Sequence, residues 1–333
     1  MKIFYIALEN IEQRYTPMMN NALYDLVDKV IYPEFNYPEV IETGQFLDVN
    51  KTIIFKSLQL HDIAQLFYKN EVESGDVFLV GDIFFPGIES IKYMSELQNL
   101  DVKIYAFNYA GRSDKTDFVR KLGKWADYSE QGYHEICDRI FVGSEFHKQN
   151  VVSYFNIDPN KVMVTGYIWD RSFVASIYNV KTPTGDQVIW PHRLSKEKGL
   201  NDLISYAVLN PKQKIVVTSC GNKVDMRLPD NVEYKYNLTK AEYYEELAWS
   251  KYYLSTAYQE TFGYTLQEAI HFGCEIAVPN RACYPEMVPS ECLYDKIENV
   301  KFHKVPKYHT EKWNNNAKNI LTIITKDAYN SRR

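Results

Sequence analysis

The chain has 333 residues, of which 45% are hydrophobic and 24% charged, so it has room for two domains with ordinary cores and is not a disordered protein. Its formal net charge of -5 gives no overall attraction to nucleic acid or to an acidic membrane, so a basic partner surface would have to be local. The sequence has no apolar run long enough to span a membrane, and its first residues include acidic side chains too early for a signal peptide. It has five cysteines and no C-x-x-C pair. We therefore predict a cytoplasmic protein with reduced thiols.

In the first half of the chain, short apolar strands alternate with amphipathic helices. The predicted strands are 2–8, 51–55, 75–82, 102–108, 139–144 and 162–166. The predicted helices are 18–29, 58–70, 86–98, a long stretch that ends near 138, and 145–155. Strands of four to eight residues that alternate with helices indicate parallel βαβ units.

The chain changes character at 178–186, where the sequence YNVKTPTGD is polar and contains Pro and Gly, and we interpret this segment as a linker. The alternation then resumes, with strands at 187–193, 214–220, 252–256 and 275–279 and helices at 199–209, 239–250 and 263–272. We therefore predict an α/β protein with two Rossmann-like domains, 1–178 and 179–310, and a ligand in the cleft between them. A last helix, within 311–333, is expected to pack back toward the N-terminal domain.

A basic loop follows the predicted strand at 187–193. In the sequence PHRLSKEKG, Arg193 and Lys198 flank a turn, and Gly199 precedes a helix. A guanidinium, an ammonium and the free N–H groups of a helix N-terminus together make a good anion site. The alternative is a solvated basic turn with no ligand.

Two glutamates flank the start of the helix at 263–272. Glu260 and Glu268 lie eight positions apart in YQETFGYTLQEAIHFG, and Gly263 and Gly273 mark the two helix ends. Eight helical residues span about 12 Å, which matches the separation of the two sugars of a nucleotide-sugar. Glu268 would then accept hydrogen bonds from a ribose diol, and Glu260 would face the transferred sugar. The alternative is a surface helix with two solvated glutamates.

These two motifs carry a resemblance to a known family. QETFGYTLQEAIHFG resembles the E-x7-E signature of retaining glycosyltransferases with the GT-B fold (glycosyl transferase group 1, family 4-like), and HRLSKEKG resembles their G-R-L-x-x-x-K-G motif. The resemblance implies that Arg193 and Lys198 bind the donor diphosphate and that Glu268 binds its ribose. It further implies that Glu260 contacts the donor sugar.

The resemblance also places the backbone of Thr261, Phe262 and Gly263 beside the phosphate and the sugar. It implies a nucleotide-diphosphate sugar as co-substrate, with cations and helix dipoles in place of a metal. No D-x-D triplet occurs in the chain. We therefore expect neither a metal nor a cofactor.

The N-terminal half departs from this family. The loop after the first strand, ENIEQRYTP, has no glycine, and the strand that often ends in a His facing the donor sugar ends here in Asn108. Asn forms hydrogen bonds but cannot shuttle a proton at neutral pH. Asp82, which ends another strand, is the nearest alternative polar group. Glu260, Asn108 and Asp82 are therefore the candidate catalytic residues.

The acceptor is predicted from a basic run that follows the strand at 102–108. Arg14, after the first strand, and five cations of the sequence GRSDKTDFVRKLGKW would contact nucleic-acid phosphates, namely Arg112, Lys115, Arg120, Lys121 and Lys124. Asp114 and Asp117 dilute this cluster, and a solvated helix is the alternative. The Tyr-rich, Gly-poor composition suggests an AT-rich genome, as in many large phages, whose DNA glycosyltransferases share the GT-B architecture and modify 5-hydroxymethylated pyrimidines.

The leading hypothesis is thus a retaining glycosyltransferase with a nucleotide-diphosphate sugar donor, acting in the host cytoplasm if the gene belongs to a phage. Within this hypothesis, one acceptor is a hydroxymethylated base in phage DNA. A saccharide, a lipid carrier or a protein is the alternative acceptor. A nucleotide-sugar epimerase of the same fold and a non-catalytic module that binds a nucleotide-sugar are the alternative functions. Assays of donor turnover and of sugar transfer distinguish these hypotheses.

Overall fold

The computed structural model describes residues 1–35, 49–180, 183, 185–220, 227–311, 313–314 and 316–330. Its strands are β1 Ile3–Ile6, β2 Lys29–Ile31, β3 Val77–Val80, β4 Lys103–Phe107, β5 Arg139–Val142, β6 Val162–Val164, β7 Val188–Trp190, β8 Ile215–Ser219, β9 Val232–Tyr236, β10 Tyr252–Leu254, β11 Glu275–Pro279 and β12 Leu293–Tyr294. Its α-helices are α1 Thr16–Tyr24, α2 Val49–Tyr68, α3 Ile88–Leu97, α4 Trp125–Ile136, α5 Glu145–Phe155, α6 Arg171–Ile177, α7 Leu200–Leu209, α8 Lys240–Trp249, α9 Tyr264–Phe272, α10 Tyr284–Met287, α11 Lys307–Glu311 and α12 Ala317–Asn330.

The described residues form two compact units. The first contains the chain up to Trp169 together with residues 316–330, and the second is Asp170–Asn314. The segment interpreted as a linker, 178–186, belongs to the second unit, and positions 181, 182 and 184 lie outside the described residues. In the part of the chain that the structure describes, no helix is both long and apolar enough to span a membrane.

The first unit is built on one parallel sheet with the strand order β2-β1-β3-β4-β5-β6. Ile6 of β1 lies opposite Val80 of β3, so these two neighbouring strands end at the same level. Buried Ile, Val and Phe side chains of the strands pack against α2, α3 and α5. The C-terminal helix α12 also packs on this unit, since Asp327 accepts a 2.7 Å hydrogen bond from Arg139 of β5.

One predicted strand of this unit is wrong. The segment 51–55 lies in the first turns of α2 and is not a strand. Thr52, Phe55, Gln59, Ile63 and Leu66 are buried, and their spacing of three or four residues is that of one helix face. The β-branched run around Ile53 suggests a strand, but Ile53 itself is 50% exposed on the other side of this helix.

The second unit has its own parallel sheet, with the order β12-β11-β10-β7-β8-β9. Counted from β7, this is the 3-2-1-4-5-6 order of a doubly wound sheet, and the order reverses between β7 and β10. Tyr253 of β10 lies opposite Ile189 of β7, so the loops that follow these strands begin side by side. The two parallel sheets with their helices confirm the predicted α/β class. Three strands, β2 of the first unit and β9 and β12 of the second, were not predicted from the sequence.

Candidate active site

The basic loop between β7 and α7 is held against the loop after β10. Thr256 accepts a 2.9 Å hydrogen bond from the indole N–H of Trp190 and donates to the carbonyl oxygens of Lys198 and Gly199. Gly199 has a φ of 74°, and a Cβ atom there would lie 2.0 Å from the carbonyl oxygen of Thr256. Only glycine therefore fits this contact, which brings the two loops of the switch point together.

The close approach of the loops joins two predicted site residues. Lys198 Nζ lies 3.0 Å from Glu260 Oε2 and donates to the carbonyl oxygen of Gln259 at 3.2 Å. Burial alone would raise the pKa of Glu260, but Lys198 and the Thr261 amide lower it below its usual value. Glu260 is therefore an ionised carboxylate at the carboxyl end of the sheet, paired with an ammonium group.

Arg193 lies at the outer side of the same loop. Its side chain is 43% exposed, and its Nε donates to Glu197 Oε1 at 2.7 Å. Ser195 donates a second hydrogen bond to the same oxygen. The bond to Glu197 uses only Nε of the five N–H donors of Arg193, whereas Lys198 donates to both Glu260 and the Gln259 carbonyl. A donor phosphate would compete with Glu197 and Glu260 for these two cations.

Helix α9 begins directly after this ion pair. Its N-cap residue is Gly263, with a φ of 75°, and Gly273 ends it in the left-handed conformation with a φ of 85°. Both glycine assignments made from the sequence are therefore confirmed. The side chain of Phe262 is buried against Tyr264 and Trp313, so a ligand at this point would meet backbone of residues 261–263 and not the Phe262 ring.

Glu268 lies on α9 and is only 4% exposed. Its Oε1 accepts hydrogen bonds from Lys240 Nζ at 2.7 Å and from the Tyr244 hydroxyl at 3.0 Å, while Oε2 accepts from the Tyr243 hydroxyl at 2.8 Å. All three partners belong to α8. A carboxylate has about four acceptor positions, so little of this group is left for a ribose unless Tyr243 moves.

Sequence reasoning missed these α8 partners and two further groups that hold the loop after β10. His192 Nε2 lies 2.9 Å from Ser255 Oγ, which contacts the Tyr284 hydroxyl at 2.6 Å, and burial lowers the pKa of His192 to about 3. Arg281 donates to the carbonyl oxygens of Thr256 and Ala257. A Thr-x-x-Glu capping box at Thr239–Glu242 was the available signal that a helix starts beside Lys240.

A second polar cluster lies at the sheet edge of the first unit, where β1 and β3 end. Glu9 follows β1 and is buried, and its Oε1 has no hydrogen-bond partner among the described residues. Asp82 follows β3, and its Oδ1 accepts from the Phe84 amide. Burial raises the pKa of Asp82, the charges of Lys56 and Arg14 oppose that rise, and Glu9 adds to it. The strand order reverses here too, so Asp82 and Arg14 meet at a switch point.

The side-chain amide of Asn108 contacts a buried histidine, His134. Asn108 is fully buried at the end of β4, and its Nδ2 lies 2.9 Å from His134 Nε2. His134 Nδ1 contacts the carbonyl oxygen of Glu130 at 2.6 Å, and burial lowers the pKa of His134 to about 4. The neutral imidazole thus accepts from the amide of Asn108, a contact that fixes both side chains.

The basic run separates into a buried and an exposed part. Arg112 is buried, forms an ion pair with Asp127, and donates to the carbonyl oxygens of Val119 and Leu122. Its guanidinium already has internal partners, which it would have to give up to bind a phosphate, and its role in phosphate binding stays a prediction. By contrast, Lys115, Lys121 and Lys124 are exposed, and Arg120 is half-buried over the ring of Tyr154.

The chain is similar in part of its sequence to a curated protein. No protein-family model matches the chain. A curated relative, the tRNA-queuosine alpha-mannosyltransferase of Drosophila melanogaster, is 31% identical over 121 residues. That match covers 32% of this chain and 32% of the fly protein, so about a third of each is similar in sequence.

Two solved structures are similar over nearly the whole chain. The lipopolysaccharide outer core galactosyltransferase WaaB, in its apo form, has a TM-score of 0.66 at 12% identity, covering 98% of this chain and 100% of its own. A structure described as trehalose-6-phosphate from E. coli bound with UDP-2-fluoro glucose has a TM-score of 0.61 at 8% identity, covering 97% and 95%. The chain therefore has the GT-B fold, and its resemblance to GT-B glycosyltransferases is confirmed.

Proposed function

We propose that the protein is a retaining glycosyltransferase that moves a sugar from a nucleoside-diphosphate donor to an acceptor hydroxyl group. The observation that carries this proposal is the pairing of Lys198 with Glu260 at the switch point of the second sheet. Helix α9 begins there, and Glu268 lies on the same helix. A cation, an ionised carboxylate and a helix N-terminus at one strand edge suit a ligand that carries a diphosphate next to a sugar.

In this proposal, the charges of the second unit stabilise the leaving group. Lys198 exchanges Glu260 for the diphosphate when the donor binds, and Arg193 adds a second cation. No described side chain caps α9, so the positive end of its dipole also acts on the phosphates, and a metal is not needed. Glu260 then lies beside the sugar, where the positive charge that develops at the anomeric carbon takes the place of Lys198 as its counter-charge and is stabilised by it.

The transfer breaks the bond between the anomeric carbon and the diphosphate oxygen and forms a bond from that carbon to the acceptor oxygen. The acceptor proton passes to the departing phosphate oxygen. For retention, the acceptor attacks from the face that the diphosphate leaves. At the nucleoside end, the proposed ribose site is Glu268 together with Tyr243, which already occupies one of its oxygens.

Two of the comparisons support these assignments. The E. coli structure contains UDP-2-fluoro glucose in the same fold, which supports a uridine-diphosphate sugar as donor. The fly relative is named as an alpha-mannosyltransferase that acts on tRNA-queuosine, which supports a nucleic-acid acceptor. We therefore propose a hydroxyl group on a modified base as the acceptor, either a 5-hydroxymethylated pyrimidine in DNA or a modified base in tRNA. Asp82 and Glu9 are the proposed groups that orient this hydroxyl in the first unit.

The experiment is incubation of the protein with a panel of uridine- and guanosine-diphosphate sugars, with mass spectrometry of donor and acceptor. The acceptors are hydroxymethylcytosine DNA, unmodified DNA of the same sequence and bulk tRNA. We expect nucleoside diphosphate release from one donor and a hexose or pentose mass added to one modified nucleic acid. Release of nucleoside diphosphate without transfer to any of these nucleic acids would contradict the acceptor assignment, and no turnover of any donor would contradict the enzymatic one.

A further inference from the structure

A surface of the first unit combines exposed aromatic rings with cations, and the proposed reaction centre does not use it. It consists of Arg120, Lys121, Lys124, Trp125, Tyr128 and Tyr154, and we call it the α4 surface. Trp125 is 63% exposed and Tyr128 64% exposed, and they lie three residues apart on one side of α4. Two large aromatic rings exposed side by side form an apolar patch, and covering such a patch with a binding partner is favourable because it removes apolar surface from water.

Cations lie against these rings. The guanidinium carbon of Arg120 is 4.8 Å from the centre of the Tyr154 ring, and Lys124 Nζ is 5.7 Å from the centre of the Tyr128 ring. In such cation–π contacts the charge lies over one face of the ring. Lys121 is exposed in the same segment. The α4 surface therefore combines exposed aromatic rings, of which Trp125 is the largest, with ammonium and guanidinium groups close to them.

The acidic residues of this segment offset only part of its positive charge, because residues 112–128 contain five Lys and Arg side chains against three Asp side chains. Asp127 is paired with Arg112 and accepts from the Tyr154 hydroxyl at 2.8 Å. Asp114 is buried and accepts from Thr116, and Asp117 accepts from the Val119 amide. Burial raises the pKa of Glu130 to about 8, so this side chain is mostly protonated at pH 7. Although the whole chain carries -5, the α4 surface itself is cationic.

The position of the surface suits an acceptor-binding role. Residues 108–124 join the carboxyl end of β4 to α4, and within this segment the Arg112 amide donates to Glu130 of α4 at 3.1 Å. That end of β4 belongs to the same sheet edge as Glu9 and Asp82. In open parallel sheets this edge is where ligands bind.

We propose that the α4 surface binds unpaired bases and phosphates of a nucleic acid, the acceptor strand of the proposed reaction. Base stacking on aromatic side chains and basic groups along the backbone are how proteins hold single strands without reading their sequence. An acidic membrane fits less well. Of the exposed side chains here, only Trp125 and Leu122 are largely apolar, whereas an interfacial helix needs a continuous apolar face. This inference rests on the proposed nucleic-acid acceptor.

The test measures binding without any donor, by fluorescence anisotropy with a labelled 20-nucleotide RNA, the DNA of the same sequence, and the corresponding duplexes. Trp125→Ala together with Tyr128→Ala should weaken single-strand binding roughly 10-fold or more and bring it to the level of the duplex. Lys121→Ala together with Lys124→Ala removes two phosphate contacts, so the slope of log K against log salt should fall by about 1.4 for a single strand.

The matched control is Tyr68→Ala with Lys69→Ala, an exposed Tyr and Lys at the end of α2 in the same unit. This control should leave binding unchanged. Equal binding of single strands and duplexes with no effect of the aromatic variant would overturn the proposal. So would loss of binding to vesicles of phosphatidylserine and phosphatidylcholine in the same variants with unchanged RNA and DNA binding.

Donor hydrolysis separates this inference from the proposed function. In the absence of any nucleic acid, the α4 variants should hydrolyse the donor and release nucleoside diphosphate at the rate of the unaltered protein. If strand binding depends on the α4 surface but no donor turns over, the surface assignment stands and the enzymatic proposal fails. If a donor turns over and transfer to nucleic acid is unaffected by these variants, the surface assignment fails alone.

Discussion

Lys198 Nζ lies 3.0 Å from Glu260 Oε2 and so connects the loops that follow β7 and β10. The two residues are 62 positions apart in the chain and meet because β7 and β10 are neighbouring strands. Each is the other's partner before any donor is present. In the proposed function the donor competes with this ion pair, its diphosphate for Lys198 and its sugar for Glu260, so the two residues should differ in what they contribute.

Lys198→Ala should weaken the binding of the nucleoside diphosphate about 10- to 100-fold, since a hydrogen bond to a charged group contributes about 1.5–3 kcal/mol. Isothermal titration calorimetry with the diphosphate of the preferred donor measures this change. Lys196→Ala is the matched control, because Lys196 lies in the same loop and is exposed. Equal affinity of the Lys198 variant and the control would exclude Lys198 from the diphosphate site.

Arg193→Ala should have a smaller effect, less than about 10-fold, because the guanidinium is exposed and screened by solvent and its charge is partly offset by Glu197. The same calorimetric titration measures it. Glu197→Gln provides the complementary change, since it frees Arg193 and should tighten diphosphate binding. A loss of affinity in Glu197→Gln would mean that the pair itself shapes the loop.

Substitutions of Glu260 and Glu268 should have different effects on turnover, nucleotide affinity and stability. Glu260→Gln should lower turnover while the affinity for the nucleoside diphosphate is unchanged or higher, because Lys198 then has no carboxylate to leave. Glu268→Gln should weaken the binding of the nucleoside diphosphate. It should also lower the free energy of unfolding by about 3 kcal/mol, since it leaves the buried ammonium of Lys240 without its carboxylate. Steady-state rates, calorimetry and urea unfolding measure the three quantities.

A double variant distinguishes the two roles of Glu268. Lys240→Met combined with Glu268→Gln removes both charges, so much of the lost stability should return. If nucleotide affinity remains low in this stable variant, Glu268 contacts the nucleotide. Recovery of full affinity would instead show that Glu268 acts only by holding α8 against α9.

The site motifs were readable from the sequence because they are local. Gly263 and Gly273 lie at turns where the backbone needs a positive φ, and Gly199 lies where a Cβ atom does not fit, so these glycines mark helix ends in the sequence itself. The alternation of strands and helices likewise predicted strands such as β11, at 275–279, with the observed bounds.

The features that the sequence did not predict depend on contacts between residues that are far apart in the chain. Lys240 reaches Glu268 because α8 packs on α9, and nothing near Lys240 in the chain indicates an acidic partner. The run around Ile53 has the residues of a strand, and only the spacing of buried residues over all of α2 identifies it as helical. Arg112 looks like its basic neighbours in the sequence, and only the fold turns it inward toward Asp127.

Gly199→Ala should destabilise the second unit and lower donor affinity. The left-handed backbone alone costs a non-glycine residue about 1–2 kcal/mol, and the added Cβ atom would also push the loop away from Thr256. Gly132→Ala is the contrasting control, because Gly132 is inside α4 and has nothing within 4 Å of its Cβ position, so it should gain about 1 kcal/mol. Urea unfolding of both variants measures the difference, and equal destabilisation would refute the assigned loop contact.

Glu130 should make the stability of the protein depend on pH. Burial raises its pKa from 4.5 to about 8 in the folded protein, whereas in the unfolded chain it ionises near its usual value. Between these two values the native state keeps a proton that the unfolded chain releases, so this group lowers the free energy of unfolding as pH rises from about 4.5 to 8. Glu130→Gln removes that contribution, while its amide oxygen still accepts from the backbone N–H of Arg112, as the carboxylate does at 3.1 Å.

The free energy of unfolding of the Gln variant should therefore rise relative to that of the unaltered protein as the pH increases from 5 to 8, and the difference should level off above 8. Urea titrations at half-unit pH steps measure it. The buried histidines act in the opposite direction: burial lowers the pKa of His134 to about 4, so its contribution is lost as pH falls below about 6.5. His134 is present in both proteins, so its effect cancels in the difference. A difference that does not change with pH would mean that Glu130 is ionised in the fold, and the α4 surface would then carry one more negative charge nearby.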